Sequence, residues 1–164
     1  MAYSSVVKTL RDGQILIKDG TGTPKTITVA FEQGDLTLNI PGPEVLVFLD
    51  RNRLGTTPSL RYGKEQPVTG SFSAYFKDNV EAGVDTLEAA LLLGMPTGWV
   101  STLGSSAEVQ TVSLVWTIEG SDHGDTSDNV ITLNHCTISG SITEGDPLVM
   151  NFSFVAHDQY PTIS

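Results

Sequence analysis

The side chains best suited to bind a metal ion are clustered in one segment, EGSDHGDTSD. This segment contains Asp122, His123, Asp125 and Asp128. Hard cations such as Ca²⁺ bind clustered carboxylate oxygens, which makes these residues candidate ligands. The same segment also has the composition of a solvated hairpin turn, with Gly124 at its tip. The turn is the better interpretation, and the sequence predicts no metal site.

Two further side chains with reactive potential, His135 and Cys136, are neighbours in the chain. Adjacent residues of a strand point to opposite faces of a sheet, so a simple thiolate–imidazole pair is excluded. Cys136 is the only cysteine, and its place in an alternating strand favours a small buried hydrophobe. A Gly-x-Ser-x-Gly turn, a phosphate-binding loop and zinc-spaced ligand pairs are absent. The sequence predicts no enzyme and no cofactor.

Basic side chains are concentrated just before the alternating segment PVTGSFSAYF. Arg51, Arg53, Arg61 and Lys64 fall within fourteen residues. Glycine and proline accompany them, which predicts a long loop near residues 50–66. Such a loop is either a solvated hairpin tip or an arm ordered by the acidic surface of a partner.

Charge is polarised along the chain. Residues 1–77 hold all nine lysines and arginines with seven acidic residues, whereas residues 78–164 hold twelve acidic residues and no lysine or arginine. The net charge of −10 disfavours ordinary DNA binding, which needs cations on the protein. The candidate acidic surface consists of Asp122, Asp125, Asp128, Glu144 and Asp146. A patch that complements a different patch on the next copy builds rings or filaments, so the charge pattern favours self-assembly.

The elements that must position these residues are strands. Alternating or apolar runs, rich in β-branched and aromatic residues, are separated by turn formers such as KDGTGTP and TEGDP. The runs cover residues 3–10, 14–18, 26–31, 35–40, 44–49, 67–76, 109–118, 129–138 and 147–156. This pattern predicts an all-β fold, a sandwich or barrel of antiparallel strands.

One segment, GVDTLEAALLLGMP, breaks the strand pattern. Asp85 can cap a first helical turn with Glu88 three residues later, and Gly94 can end the helix. We therefore expect one short flanking α-helix near Asp85 to Leu93. The length of 164 residues predicts a single domain. The N-terminal stretch has no apolar h-region and no segment is apolar enough to span a bilayer, which predicts a soluble protein with no membrane partner.

Nearly the whole chain resembles the tail tube protein, or major tail protein, of long-tailed bacteriophages. The resemblance lies in the layout: an N-terminal pair of strands, then GDLTLNIPGPEVLVFLDRNRLGTTPSLRYGKEQPVTGSFSAYFKD, the short helix, a final hairpin CTISGSITEGDPLVMNFSFVAH and an extended tail at residues 157–164. It implies a β-sandwich or barrel of which six copies close into a ring. Rings stack into a tube through which DNA passes without specific binding.

The same resemblance implies where the protein acts and what it contacts. The loop near residues 50–66 would contact the next ring. Partners would be further copies of the chain and other tail proteins, such as the tape measure, tail terminator and distal tail proteins. The protein would be part of the virion and would be assembled in the host cytoplasm.

The alternative is a monomeric β-sandwich that binds carbohydrate or protein in a virion or coat. Trp99 and Tyr160 would then be exposed platforms on which sugars stack. Size distinguishes the two hypotheses, because only the tube protein forms rings or fibres as its concentration rises.

Overall fold

The computed structural model describes residues 13–29, 35–48, 59–76, 98–119, 127–158 and 160–164. Throughout this part of the chain the regular elements are β-strands. They are β1 (Gln14–Lys18), β2 (Thr26–Thr28), β3 (Thr37–Asn39), β4 (Val45–Phe48), β5 (Ser59–Tyr62), β6 (Val68–Tyr75), β7 (Val112–Ile118), β8 (Asn129–Thr143), β9 (Val149–Ala156) and β10 (Thr162–Ile163).

Eight of these strands form one sheet with β8 at its centre. The order is β2-β1-β7-β8-β9-β6-β3, and β10 also pairs with β8. All the pairings are antiparallel. The first half of β8 pairs with β7 and the second half with β9, and Cys136 takes part in both pairings. One long strand thus joins two groups of strands, β2-β1-β7 and β9-β6-β3.

The core is aromatic where β6 and β9 pair. The ring of Phe72 stacks on that of Phe152 with centroids 5.2 Å apart, and its centroid lies 6.2 Å from that of Phe154. Met150 and Ala156 belong to the same buried face of β9. Aromatic pairs of this kind contribute about 0.5–1.5 kcal/mol beyond their buried area. The period-two alternation of both strands therefore predicts the buried face correctly.

Strand β8 departs from simple alternation near His135. Leu133 and Cys136 are both buried, although they lie three residues apart. The reason is a register shift in the pairing with β7, between the pairs Val112↔Cys136 and Leu114↔Leu133. An extra residue of this kind is a β-bulge, which changes the face to which the following side chains point. His135 has a φ of 51°, in the left-handed region that few non-glycine residues adopt.

The turn between β1 and β2 is tied to the segment that follows residue 98. Asp19 is buried, and its carboxylate accepts hydrogen bonds from the backbone N–H of Lys25 at 2.7 Å and of Val100 at 3.3 Å. The hydroxyl of Thr21 donates to the same carboxylate at 2.9 Å. Burial raises the pKa of Asp19, but these hydrogen bonds outweigh it and hold the pKa below its ordinary value.

Strands β4 and β5 form a separate two-stranded sheet. This corrects the expected long loop near residues 50–66, because Ser59–Tyr62 is a strand. The run SLRY is short and lies among arginine, proline and glycine residues. Its alternation of polar and apolar side chains is therefore hard to recognise in the sequence. Its pairing with β4 is a contact across the chain that local sequence does not reveal.

The all-β, antiparallel class is confirmed for the described residues. Eight of the nine predicted runs contain a strand there, whereas run 3–10 and the helix expected near Asp85 to Leu93 lie outside them. The expected C-terminal tail at residues 157–164 contains β10, which pairs with β8. Closure of the sheet into a sandwich or barrel stays a prediction.

Candidate functional site

The β4–β5 hairpin has an entirely apolar face. Val45 lies opposite Tyr62 and Val47 lies opposite Leu60, so the four side chains share one face. Their exposed fractions are 54%, 79%, 58% and 63%, respectively. Single apolar residues are common on protein surfaces. Four adjacent exposed ones are the pattern of a surface that binds another molecule.

The other face of the hairpin combines apolar and cationic side chains. Leu46 lies opposite Arg61, and Phe48 lies opposite Ser59. The Cζ atom of Arg61 lies 5.5 Å from the centroid of the Phe48 ring, which is a cation–π contact. Leu46 and Phe48 are 37% and 49% exposed. This face, which we call the Arg61 face, can bind a surface that offers both an apolar group and negative charge.

Glu44 closes the base of the hairpin. Its backbone N–H donates to the carbonyl oxygen of Lys64 at 3.0 Å, and its own carbonyl accepts from the N–H of Gly63 at 2.7 Å. The N–H of Lys64 also donates to the Glu44 carboxylate at 3.4 Å. These bonds hold the two strands in register. A two-stranded hairpin is nevertheless only marginally stable in water, so contacts on its faces must add to its stability.

The predicted basic residues are partly placed by the structure. Arg61 lies in β5 and Lys64 lies just after it, at the base of the hairpin. Arg51 and Arg53 lie outside the described residues, in the connection between β4 and β5. The hairpin thus carries both Arg61 and Lys64, and their role as assembly contacts stays a prediction.

The predicted acidic residues are dispersed. Glu144 and Asp146 lie in the exposed turn between β8 and β9, and Asp128 immediately precedes β8. Asp122 and Asp125 lie outside the described residues, as does His123. In the part of the chain that is described, no three histidine, cysteine or acidic side chains are grouped as metal ligands. The same part contains no helix with the length and apolarity needed to cross a membrane.

His135 belongs to a chain of hydroxyl groups instead of a reactive pair. Its Nδ1 lies 2.9 Å from the Thr102 hydroxyl, which lies 2.7 Å from that of Thr111. The Thr111 hydroxyl is in turn 2.9 Å from that of Ser101. This network fixes the segment after residue 98 against β8. Burial raises the pKa of the Cys136 thiol to about 12, so the thiol is inert near neutral pH.

Trp99 and Tyr160, the two aromatic residues expected to stack on sugars in the monomeric alternative, differ in their exposure to solvent. Trp99 is buried in the core, with 7% of its surface exposed, so the expectation that it is a sugar-stacking platform is wrong. The indole ring is large and apolar, so the free energy is lower when it packs against the core than when it is exposed in its loop. Tyr160 is 52% exposed.

Sequence reasoning missed the apolar face of the β4–β5 hairpin. The signal was present, because Leu60 and Tyr62 alternate with polar residues and EVLVFL precedes them. Only the register of the two strands shows that all the apolar residues of one face are adjacent.

No protein-family model matches this chain, and no curated protein matches it. Two cryo-EM structures of the anti-feeding prophage contain chains of similar fold. A chain of the baseplate, 6-fold symmetrised, has a TM-score of 0.57 and 12% identity over 100% of this chain and 97% of its own length. A chain of the tube terminating cap has a TM-score of 0.53 and 10% identity over 100% of this chain and 94% of its own. At such low identity the comparison shows a shared fold, which extends over the whole chain.

Proposed function

We propose that this chain is a structural protein of a phage-tail-like particle, in which six copies close into a ring and rings stack into a tube. The fold similarity supports this proposal, because it extends over the whole chain and its counterparts come from a 6-fold symmetrised baseplate and a tube terminating cap. In the proposed role the protein has no catalytic activity. Its partners are further copies of itself and the other proteins of the tail, including tape measure, terminator and distal tail proteins.

The observation that carries the proposal is the exposed β4–β5 hairpin. Six of its eight strand residues are apolar, and all eight are exposed in the protomer. Complete burial of a large aliphatic or aromatic side chain contributes about 1.5–3 kcal/mol, so covering the four residues of the apolar face would favour association. In the proposed tube the hairpin contacts the next ring. Apolar burial supplies most of the free energy of stacking, and the arginines guide orientation.

The sheet offers edges by which neighbours in a ring can join. Cys136 is the last residue of β8 that pairs with β7, so residues 137–143 are paired on the β9 side alone among the described residues. At the far end of the same group of strands, β3 pairs with β6. Unpaired edges expose backbone donors and acceptors, and pairing between copies would satisfy them. We infer that the buried faces of the two strand groups close on each other as a sandwich.

The face of β3, β6, β9 and β8 opposite the core has the composition expected of a passage wall. Its central row consists of Thr37, Ser71, Ser153 and Ser139. Hydroxyl pairs at 2.9 Å join Thr37 to Ser71 and Ser139 to Ser153. We call this surface the hydroxyl face. It carries no lysine or arginine at its paired positions, so DNA phosphates would find no cation to hold them.

The proposal is tested by size and shape. Purified protein should form rings or tubes in negative-stain images, and sedimentation should show association that increases with concentration. A species of 17.5 kDa at every concentration would contradict the proposal and favour the monomeric binding module.

A further inference from the structure

The end of the β8–β9 hairpin is a second exposed segment, distinct from β4–β5. Residues 139–147 are all exposed, and they include the last five residues of β8 and the turn that follows. Glu144 and Asp146 lie in that turn. Ile142, two residues before Glu144, is 50% exposed. We call residues 142–146 the acidic end.

The acidic end and the Arg61 face complement each other in charge and in character. The Arg61 face presents a guanidinium group over the ring of Phe48, beside Leu46. The acidic end presents two carboxylates beside an isoleucine. No lysine or arginine lies anywhere after residue 77, so the acidic end has no basic neighbour in the second half of the chain to neutralise it. Opposite charges that flank apolar groups are the pattern by which protein surfaces select a partner and an orientation.

The two surfaces do not satisfy each other within one protomer. Both remain exposed in the folded chain, and β4 and β5 pair with each other in a sheet separate from β8 and β9. The partner that carries the matching surface must therefore be another molecule. A second copy of this chain always carries it.

We propose that the Arg61 face of one copy docks on the acidic end of a neighbouring copy. This inference rests on the proposed self-assembly and names both surfaces of one contact in it. The two surfaces differ, so the contact is heterologous and each copy can both give and receive a hairpin. The apolar face of the same hairpin remains free to contact a further surface.

A charge-swap experiment tests the contact. Arg61→Glu places like charges at the contact, and so does Glu144→Arg combined with Asp146→Arg. Each variant should assemble more slowly than the wild type by light scattering, most clearly at low salt, where charges are least screened. A protein that carries all three substitutions should recover the wild-type rate, because the attraction is restored with its sign reversed. Glu108→Arg, at an exposed acid elsewhere, is the matched control and should not change the rate.

The outcomes separate this inference from the proposed function. If wild-type protein forms tubes but the triple variant is no faster than the slower of its parents, the acidic end is not the partner and only this inference fails. Unchanged rates in both charge-reversed proteins lead to the same conclusion. If wild-type protein never assembles, the proposed function fails and takes this inference with it.

A cross-link provides a second measurement that does not depend on charge. Phe48→Cys and Ile142→Cys together should give a ladder of disulfide-linked oligomers when assembled protein is oxidised, because each copy links to the next. Either variant alone should give no ladder. The native Cys136 does not interfere, because it is buried and its pKa is raised. Absence of the ladder from assembled tubes of the double variant would overturn the contact.

Discussion

At the scale of single residues, this protein depends on a few positions where backbone and side chains approach closely. Gly70 is one, and Asp19 is another. Gly70 lies in β6, where an added Cβ would be 2.2 Å from the carbonyl oxygen of Thr37 and 2.4 Å from Cζ of Phe154. Gly20, beside Asp19, is also crowded, because its Cβ would lie 2.3 Å from the carbonyl oxygen of Ser101. Gly70 and Gly20 are therefore positions where a larger side chain does not fit.

We expect Gly70→Ala to destabilise the protomer. The methyl group would displace β3 or the ring of Phe154, and overpacking of this kind costs about 1–3 kcal/mol. Thermal unfolding followed by circular dichroism should show a lower midpoint. Gly42→Ala is the matched control, since nothing lies within 4 Å of the added Cβ, and its midpoint should be unchanged. A Gly70→Ala protein as stable as the control would show that β3 is not packed against β6 as described.

Asp19 should make stability dependent on pH in acid. Its pKa is lower in the folded protein than in the unfolded chain, so its contribution is fully present above the ordinary value of about 3.9. The contribution is lost as the pH falls from there through the lower, folded pKa. Asp19→Asn should cost about 1–3 kcal/mol at neutral pH, because the carboxylate accepts hydrogen bonds from two backbone groups and a hydroxyl.

Urea unfolding at a series of pH values measures this effect. The stability difference between wild type and Asp19→Asn should be constant near neutral pH and should shrink as the pH falls below about 4. Glu108→Gln, at an exposed side chain, should run parallel to wild type throughout. If the difference instead grew in acid, the assigned direction of the pKa shift would be wrong.

At the scale of elements, the hairpin and the sheet have different tasks. The eight-stranded sheet holds the core, whereas β4–β5 presents apolar residues to solvent. A mutation in the hairpin should therefore affect association more than folding. This separation makes the hairpin the best element in which to test assembly.

Val47→Asp with Leu60→Asp should abolish assembly and leave the protomer folded. The two residues lie opposite each other on the apolar face, so two carboxylates would have to be buried at the contact. Electron microscopy would detect tubes, and circular dichroism would follow melting. Val109→Asp is the matched control, because this valine is similarly exposed, at 53% against 58% for Val47, but lies outside the hairpin. Tubes of normal yield from the double variant would show that assembly does not require the apolar face.

At the scale of the whole molecule, the two faces of the sheet near β6 and β9 differ in chemical composition. One side is the aromatic core, and the other is the hydroxyl face. The central row of small uncharged hydroxyls lacks the apolar anchors of a docking interface. The acidic residues that we expect to matter lie instead in the exposed turn after β8. In the proposed tube, this face would bring no lysine or arginine to the passage, and the acidic turn after β8 would lie between copies.

We expect a cysteine on the hydroxyl face to be shielded from large reagents in assembled tubes. Ser139→Cys should react with a long polyethylene glycol maleimide in the free protomer and lose that reaction on assembly, while a small maleimide still enters the tube. Ser106→Cys, an identical change at an exposed loop residue, should react with both reagents in both states. Gel shifts after labelling give the readout. Equal labelling of the two variants by the long reagent in tubes would place the hydroxyl face on the outside.

The sequence by itself determined where most strands lie. The alternation of PVTGSFSAYF and of PLVMNFSFVA predicts β6, β9 and the face that each buries, because period two is a local property of an extended chain. The expectation that Cys136 is a small buried hydrophobe within a strand is confirmed, although the bulge beside it decides the face to which it points. The contrast in charge between the two halves of the chain also needs no coordinates.

Only the tertiary structure decided which residues meet. Strand β5 becomes recognisable through its pairing with β4, and the bulge at His135 through a register shift against β7. Trp99 is buried because the segment after residue 98 packs on the turn that contains Asp19. Each of these features depends on contacts between residues that are far apart in the chain. Local propensity carries no information about such contacts, and these contacts determine which apolar surfaces remain exposed.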